Sequence, residues 1–111
     1  MVLPEDGCLL RIFIGESDRV DGKPLYQRLV EEARSRRLAG ATAWRGMMGF
    51  GANSVIHTSK IMRLSQSLPV IVEIVDTRER LETFLDEVDR LIKGGLATLE
   101  KAQVRFYRPN A

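Results

Sequence analysis

Apolar and polar positions along the chain follow two periods in turn. Residues 9–14 form a short apolar run with one charge, Arg11, and Gly15 ends it. This pattern predicts a strand with Leu10, Ile12 and Ile14 on one face and Leu9 and Phe13 on the other. Asp21-Gly22-Lys23-Pro24 opens a helix, with Pro24 at the first helical position. Leu25, Leu29 and Ala33 recur at helical spacing beside Tyr26 and Val30, while Gln27, Arg28, Glu31, Glu32 and Ser35 fill the opposite face. Leu38-Ala39-Gly40 closes that helix, and a second strand covers residues 41–48. Residues 70–75 are a third strand, apolar on both faces except for Glu73, and they lead into a helix capped by Asp76 with Glu79 in capping-box position. Leu81, Phe84, Leu85, Val88, Leu91 and Ile92 mark the buried stripe of this helix, and Lys93-Gly94-Gly95 stops it. A last strand alternates Ala102, Val104 and Phe106 inward with Gln103, Arg105 and Tyr107 outward.

The order is β-α-β-β-α-β, which predicts an α+β, ferredoxin-like domain. Right-handed crossovers place both helices on one face of a four-stranded antiparallel sheet. The other face is left bare, yet Leu9, Phe13 and the third strand make it apolar. An apolar face of that size is expected to be covered by self-association. A homotrimer, with three sheets closing around an axis, is the arrangement expected.

Length and charge narrow the classes. The 111 residues make a single domain, long enough for a core without staples. Seventeen basic residues stand against 15 acidic ones, a net of +2, and the arginines at 34, 36 and 37 lie beside Glu31 and Glu32. That balance argues against a nucleic-acid partner. Cys8 is the only cysteine, which rules out an intrachain disulfide and a cysteine-based zinc site and reads as a small buried hydrophobe. The first seven residues have no basic start and no long apolar run, and nothing approaches the roughly 20 apolar residues of a membrane span. A cytoplasmic protein that is not itself membrane-inserted is the expectation.

Candidate chemistry concentrates between Ala39 and Asp76, where a glycine-punctuated strand runs into a long polar loop of about residues 52–67. Connections of that length usually carry function. Glu73, alone among Val and Ile, is either a ligand contact or catalytic base at a cleft, or one half of an ion pair with an arginine such as Arg11 or Arg45. Gly46, Gly49 and Gly51 bracket Met47, Met48 and Phe50. Glycines so spaced can aim backbone N–H groups at an anion, but the spacing alone favours a bulged, twisted strand end. His57 is the only histidine, and no acidic residue lies between Glu32 and Glu73. It therefore suits a hydrogen-bonded loop or interface position better than a metal site or a triad. Trp44 is expected in the core or an interface, Phe106-Tyr107 lacks the signature of an RNA-binding sheet, and Gly94-Gly95 is sufficiently explained as a helix stop.

Several segments together carry a family resemblance: Ile14-Gly15-Glu16, Gly22-Lys23-Pro24-Leu25-Tyr26, Leu38-Ala39-Gly40-Ala41-Thr42, Arg45-Gly46, Gly49-Phe50-Gly51, Ile56-His57-Thr58 and the stretch from Leu68-Pro69 to Val75-Asp76. Over nearly its whole length the chain resembles the PII-like signal-transduction proteins, and most closely the branch catalogued as domain of unknown function 190. The resemblance implies a ferredoxin-like trimer with adenine nucleotides in the clefts between subunits and a partner-binding loop between the second and third strands. It assigns Thr42, Gly49, Phe50, Gly51, Glu73, Gly94 and Gly95 to ligand binding, and Asn53, Ser54, His57, Thr58 and Lys60 to the partner loop.

The chain departs from PII proteins proper at three places. Residues 95–101 read Gly-Leu-Ala-Thr-Leu-Glu-Lys instead of the phosphate-cradling Gly-Asp-Gly-Lys segment. Ala52-Asn53 replaces an arginine-glutamine pair, and the loop has no tyrosine to modify. These departures speak against triphosphate binding, a 2-oxoglutarate response and uridylylation, and leave AMP or ADP, or no ligand, as the better fit. The expected function is a non-enzymatic regulator that needs no cofactor. Its effector controls the loop that binds a partner protein, by family analogy a membrane transporter or channel. A ligand-free trimeric scaffold ranks second, and a small enzyme using Glu73 or His57 ranks last.

Overall fold

Four antiparallel strands and two helices carry the architecture of the chain. The computed structural model describes residues 6–50, 57–58 and 68–110. In chain order the elements are β1 (Asp6–Gly15), β2 (Arg19–Val20), β3 (Lys23–Pro24), α1 (Leu25–Ser35), β4 (Thr42–Arg45), β5 (Met48–Gly49), β6 (His57–Thr58), β7 (Pro69–Asp76), α2 (Arg78–Val88), a 3₁₀ turn (Asp89–Leu91) that takes over the last part of the expected second helix, and β8 (Leu96–Gln103). The main sheet has the order β4-β7-β1-β8, so β1 and β7 are central and β4 and β8 are edges. Every neighbouring pair in it is antiparallel. This is the ferredoxin-like layer expected from the element order.

The core lies on one face of that sheet. Cys8, Leu10, Ile12 and Ile14 of β1 and Val70, Val72 and Ile74 of β7 point toward the helices and are buried. Leu25, Leu29 and Ala33 of α1 and Leu81, Phe84 and Val88 of α2 close over them in the same cluster. The four-residue spacing in α1 aligns its apolar side chains, and its outer face is laced by Arg28–Glu32 and Arg36–Glu32 ion pairs one turn apart.

Four local expectations are corrected. Pro24 is not the first helical residue: it stands just outside α1 with ψ of 135° and pairs with Arg19. The cap of α2 is Thr77, whose hydroxyl accepts from the Arg80 N–H, and not Asp76. Asp76 is drawn into the interior instead, where its carboxylate accepts from the N–H groups of Ala39 and Thr77 and from the Arg80 guanidinium. The second strand ends at Arg45: the Gly46 N–H still donates to the Pro69 carbonyl at 2.7 Å, but Pro69 has no N–H to return the bond, and the chain pairs again only as β5.

The last correction concerns β8, which begins at Leu96, immediately after the glycines, and ends at Gln103. Val104, Phe106 and Tyr107 therefore lie beyond the strand, and Phe106 is 68% exposed. Gly95 explains the early start. Its φ is +151°, and a Cβ there would sit 2.6 Å from the Phe13 carbonyl oxygen. Only glycine lets the chain turn so tightly onto β1. Pairing then runs from Phe13↔Leu96 to Asp6↔Gln103.

Candidate functional site

The helix-free face of the sheet is ordered in rows, because directly opposed residues of antiparallel strands share a face. One row is wholly apolar: Trp44, Ile71, Phe13 and Leu96 stand side by side across all four strands. Trp44 is 49% and Leu96 58% exposed, and the two central residues are half-buried. The next row is polar and reads Thr42, Glu73, Arg11, Thr98. Beyond it Val75 and Leu9 continue the apolar surface, with Glu100 at the β8 edge.

The polar row gives Glu73 the arginine partner that one of its two readings calls for. Arg11 Nε donates to Glu73 Oε2 at 2.7 Å, and Arg11 Nη1 donates to Glu100 Oε1 at 2.7 Å. The hydrogen bond that Arg11 donates to Glu73 does most to push the Arg11 pKa above its usual value; burial opposes it, and the charges of Glu100 and Glu73 add to the rise. Glu73 is thus an ion-pair partner in a carboxylate–guanidinium–carboxylate line with one net negative charge. Glu100 is the member that the sequence reading missed. Its signal was its place on β8, which could be recognised only with the register known.

One end of the sheet gathers the glycine segments. Arg45 pairs with Glu16 there, and the Glu16 N–H reaches the Leu68 carbonyl. Gly46 packs against the Pro69 ring so closely that a Cβ would lie 2.9 Å from Pro69 Cγ, and Gly49 is almost as tight at 3.3 Å. Gly49 pairs with His57 and Met48 with Thr58 in a separate two-stranded ladder. Met47, Met48 and Phe50 are exposed, Phe50 by 69%. β4 stops at Arg45, and the chain pairs again only at Met48–Gly49, in a different ladder.

The site residues divide accordingly. Thr42 and Glu73 are direct neighbours on the open face, while Gly49 and Phe50 lie farther along the chain beyond β4. Gly94 and Gly95 precede β8, on the opposite edge but at the same end of the sheet. Three strand spacings, about 14 Å, separate the two edges, so one chain does not bring both glycine segments into a single pocket. Gly51, Asn53, Ser54 and Lys60 lie outside the described residues, and His57 and Thr58 are placed only through their strand pairing. Among the described residues no group of three or more His, Cys, Asp or Glu is placed to hold a metal. Among the described residues no helix is long and apolar enough to cross a membrane.

Known proteins share this architecture. CPII, a nitrogen regulatory PII-like protein from Thiomonas intermedia K12 whose structure holds ADP, AMP and bicarbonate, superposes with a TM-score of 0.68 at 13% identity, covering 94% of this chain and 91% of its own. The divalent ion tolerance protein CutA1 from Ehrlichia chaffeensis superposes with a TM-score of 0.57 at 8% identity, covering 94% of this chain and 86% of its own. These likenesses concern the fold, which is PII-like. In sequence, a UPF0166 protein of Aquifex aeolicus is 46% identical over 101 residues, 88% of this chain and 92% of the relative. A UPF0166 protein of Methanocaldococcus jannaschii is 33% identical over 85 residues, 77% of this chain and 78% of the relative. The profile of the DUF190 family, described as Uncharacterized ACR, matches residues 7–104, and the chain belongs to that family.

Proposed function

We propose that this chain is a non-enzymatic, PII-like regulatory protein that works as a homotrimer. Copies pack through their helix-free faces. An adenine nucleotide, AMP or ADP, binds where residues 46–50 at the β4 edge of one copy meet Gly94 and Gly95 at the β8 edge of the next. The observation that carries the reading is the exposed row Trp44–Ile71–Phe13–Leu96, which runs unbroken across the sheet. Such a surface favours burial against a like surface. The two glycine segments at opposite edges of the same end then supply the two halves of a cleft that one chain leaves open. The PII-like CPII, whose structure holds ADP and AMP, supports the choice of ligand class.

The ligand acts by binding one state of the 52–67 loop better than another, which changes how a partner protein docks there. Asn53, Ser54, His57, Thr58 and Lys60 are the contacts offered to that partner, for which a membrane transporter or channel is the family's analogy and nucleic acid is not. Catalysis by Glu73 is disfavoured because its carboxylate is engaged by Arg11.

One observation favours the ligand-free scaffold as a second reading. Gly46, Gly49 and Gly95 each have a packing reason to be glycine, so none needs a phosphate to explain it. Two measurements decide. Sedimentation of the full chain at micromolar concentration should give a trimer, and a stable monomer would remove the interface. Calorimetry of that trimer should give a saturable heat with AMP or ADP. Flat traces from an intact trimer would leave the scaffold.

A further inference from the structure

We infer that the segment after β8 is a strap, crossing the end of the sheet from the β8 edge to the β4 edge and holding the start of β4 in place. Its first contact is over Gly7. Val104 Cγ2 lies 2.9 Å from the point where a Cβ on residue 7 would stand, so Val104 fills the space that a side chain there would take. Gly7 has the same facing as Leu9, Arg11 and Phe13, which puts the crossing on the helix-free side of β1.

Three residues later the strap has reached the other edge. Tyr107 Oη donates to the Ala39 carbonyl at 2.6 Å. Three residues of extended chain cover about 10 Å, the width of two strand spacings, which is the distance from β1 past β7 to the lead-in of β4. Ala39 is held on its inner side as well. Its N–H donates to Asp76 Oδ2 at 2.8 Å, and Asp76 is fully buried and bound by Arg80. The Arg80 guanidinium also donates to the Arg37 carbonyl at 2.6 Å.

The residues between the end of α1 and β4 are therefore clamped between a buried carboxylate and an exposed phenol. The inner half is sealed. The outer half, with Tyr107 46% exposed, is the half that solvent or another molecule can reach. What the clamp positions is the shortest strand of the main sheet, paired on one side only. That strand carries Thr42 against Glu73 and Trp44 in the apolar row, and it leads into residues 46–50. The strap is thus a positioning device for the open face and its β4 edge. Its influence on a bound effector rests on the reading proposed above.

Tyr107→Phe removes the hydroxyl and leaves the ring. Amide hydrogen exchange of the variant should accelerate at residues 39–45 by roughly two- to tenfold, the range one hydrogen bond commands, with the β1 centre unchanged. Trp44, the only tryptophan, sits on the strand in question and should become more accessible to acrylamide quenching. Gly7→Ala pushes the strap from its other end and should give the same exchange pattern, and Gly7→Ala/Val104→Ala should restore it by making room. Unchanged exchange at residues 39–45 in Tyr107→Phe, or acceleration spread evenly over the sheet, would overturn the inference. If the wild type binds ADP, Tyr107→Phe should bind it severalfold more weakly. If the wild type binds no adenine nucleotide, the effector reading fails while the exchange result still decides the strap.

Discussion

Arg11 and Glu73 meet across β1 and β7 on the helix-free face, with Nε 2.7 Å from Oε2. Their side chains are 38% and 27% exposed, so within one subunit water screens the pair and it contributes little. Covered by a second copy, the same pair would sit in a poorer dielectric, and losing one partner would cost more. Glu73→Gln should therefore leave the denaturation midpoint of a dissociated subunit nearly unchanged while raising the dissociation constant of the assembly by roughly tenfold or more. Denaturation and dilution-series sedimentation on one preparation check this. Equal, small effects on both would mean that the row stays wet.

Ile71 sits between Phe13 and Trp44 in the apolar row. It is half-buried and points away from the core. Ile71→Lys should keep native circular dichroism and produce monomers at micromolar concentration, because three ammonium groups cannot share an apolar junction. An intact trimer by sedimentation would place the interface elsewhere.

Asp76 and Thr77 are adjacent residues with different roles, and their substitutions should separate. Thr77→Ala removes a helix cap and should lower stability by about 1 kcal/mol. Asp76→Ala takes the carboxylate away from two backbone N–H groups around a buried position and ends the Arg80 ion pair, although Arg80 keeps the Arg37 carbonyl, and should lower it by about 3 kcal/mol. Urea melts of both variants make the comparison, and equal losses would contradict the assignment of Thr77 as the cap.

Gly46→Ala forces a methyl group to within 2.9 Å of the Pro69 ring, which has little freedom to move. The expected loss is about 1–3 kcal/mol in a urea melt. Pro69→Ala should recover most of it in the double variant. A neutral Gly46→Ala would show that the strand end has slack.

The core was legible from the chain because burial repeats at the period of the element that carries it. Leu10, Ile12 and Ile14 alternate as a strand must, and Leu25, Leu29, Ala33, Leu81, Phe84 and Val88 recur as a helix must. The cap of α2 was not legible, since Asp76 and Thr77 are both good cap residues. The choice fell to a distant N–H, that of Ala39, which claimed Asp76. The start of β8 was hidden for another reason. Leu96, Ala97 and Thr98 are all exposed on an edge strand, so no alternation marks them. The open face was foreseen as apolar from Leu9, Phe13 and the third strand, but its division into one greasy row and one charged row was not.

Local pattern, then, determined by itself the core elements β1, α1, β7 and α2, which side of each is buried, and that one side of the sheet lacks a cover. These follow from side-chain spacing and the transfer of apolar groups out of water, which act within a few residues. Only the folded chain decided that Glu73 belongs to Arg11, that Glu100 completes the line, that Gly46 and Gly95 answer to Pro69 and Phe13, and that Tyr107 reaches Ala39. Each of those joins residues far apart along the chain, and their meeting is fixed by strand register, a property of paired strands that no single segment carries.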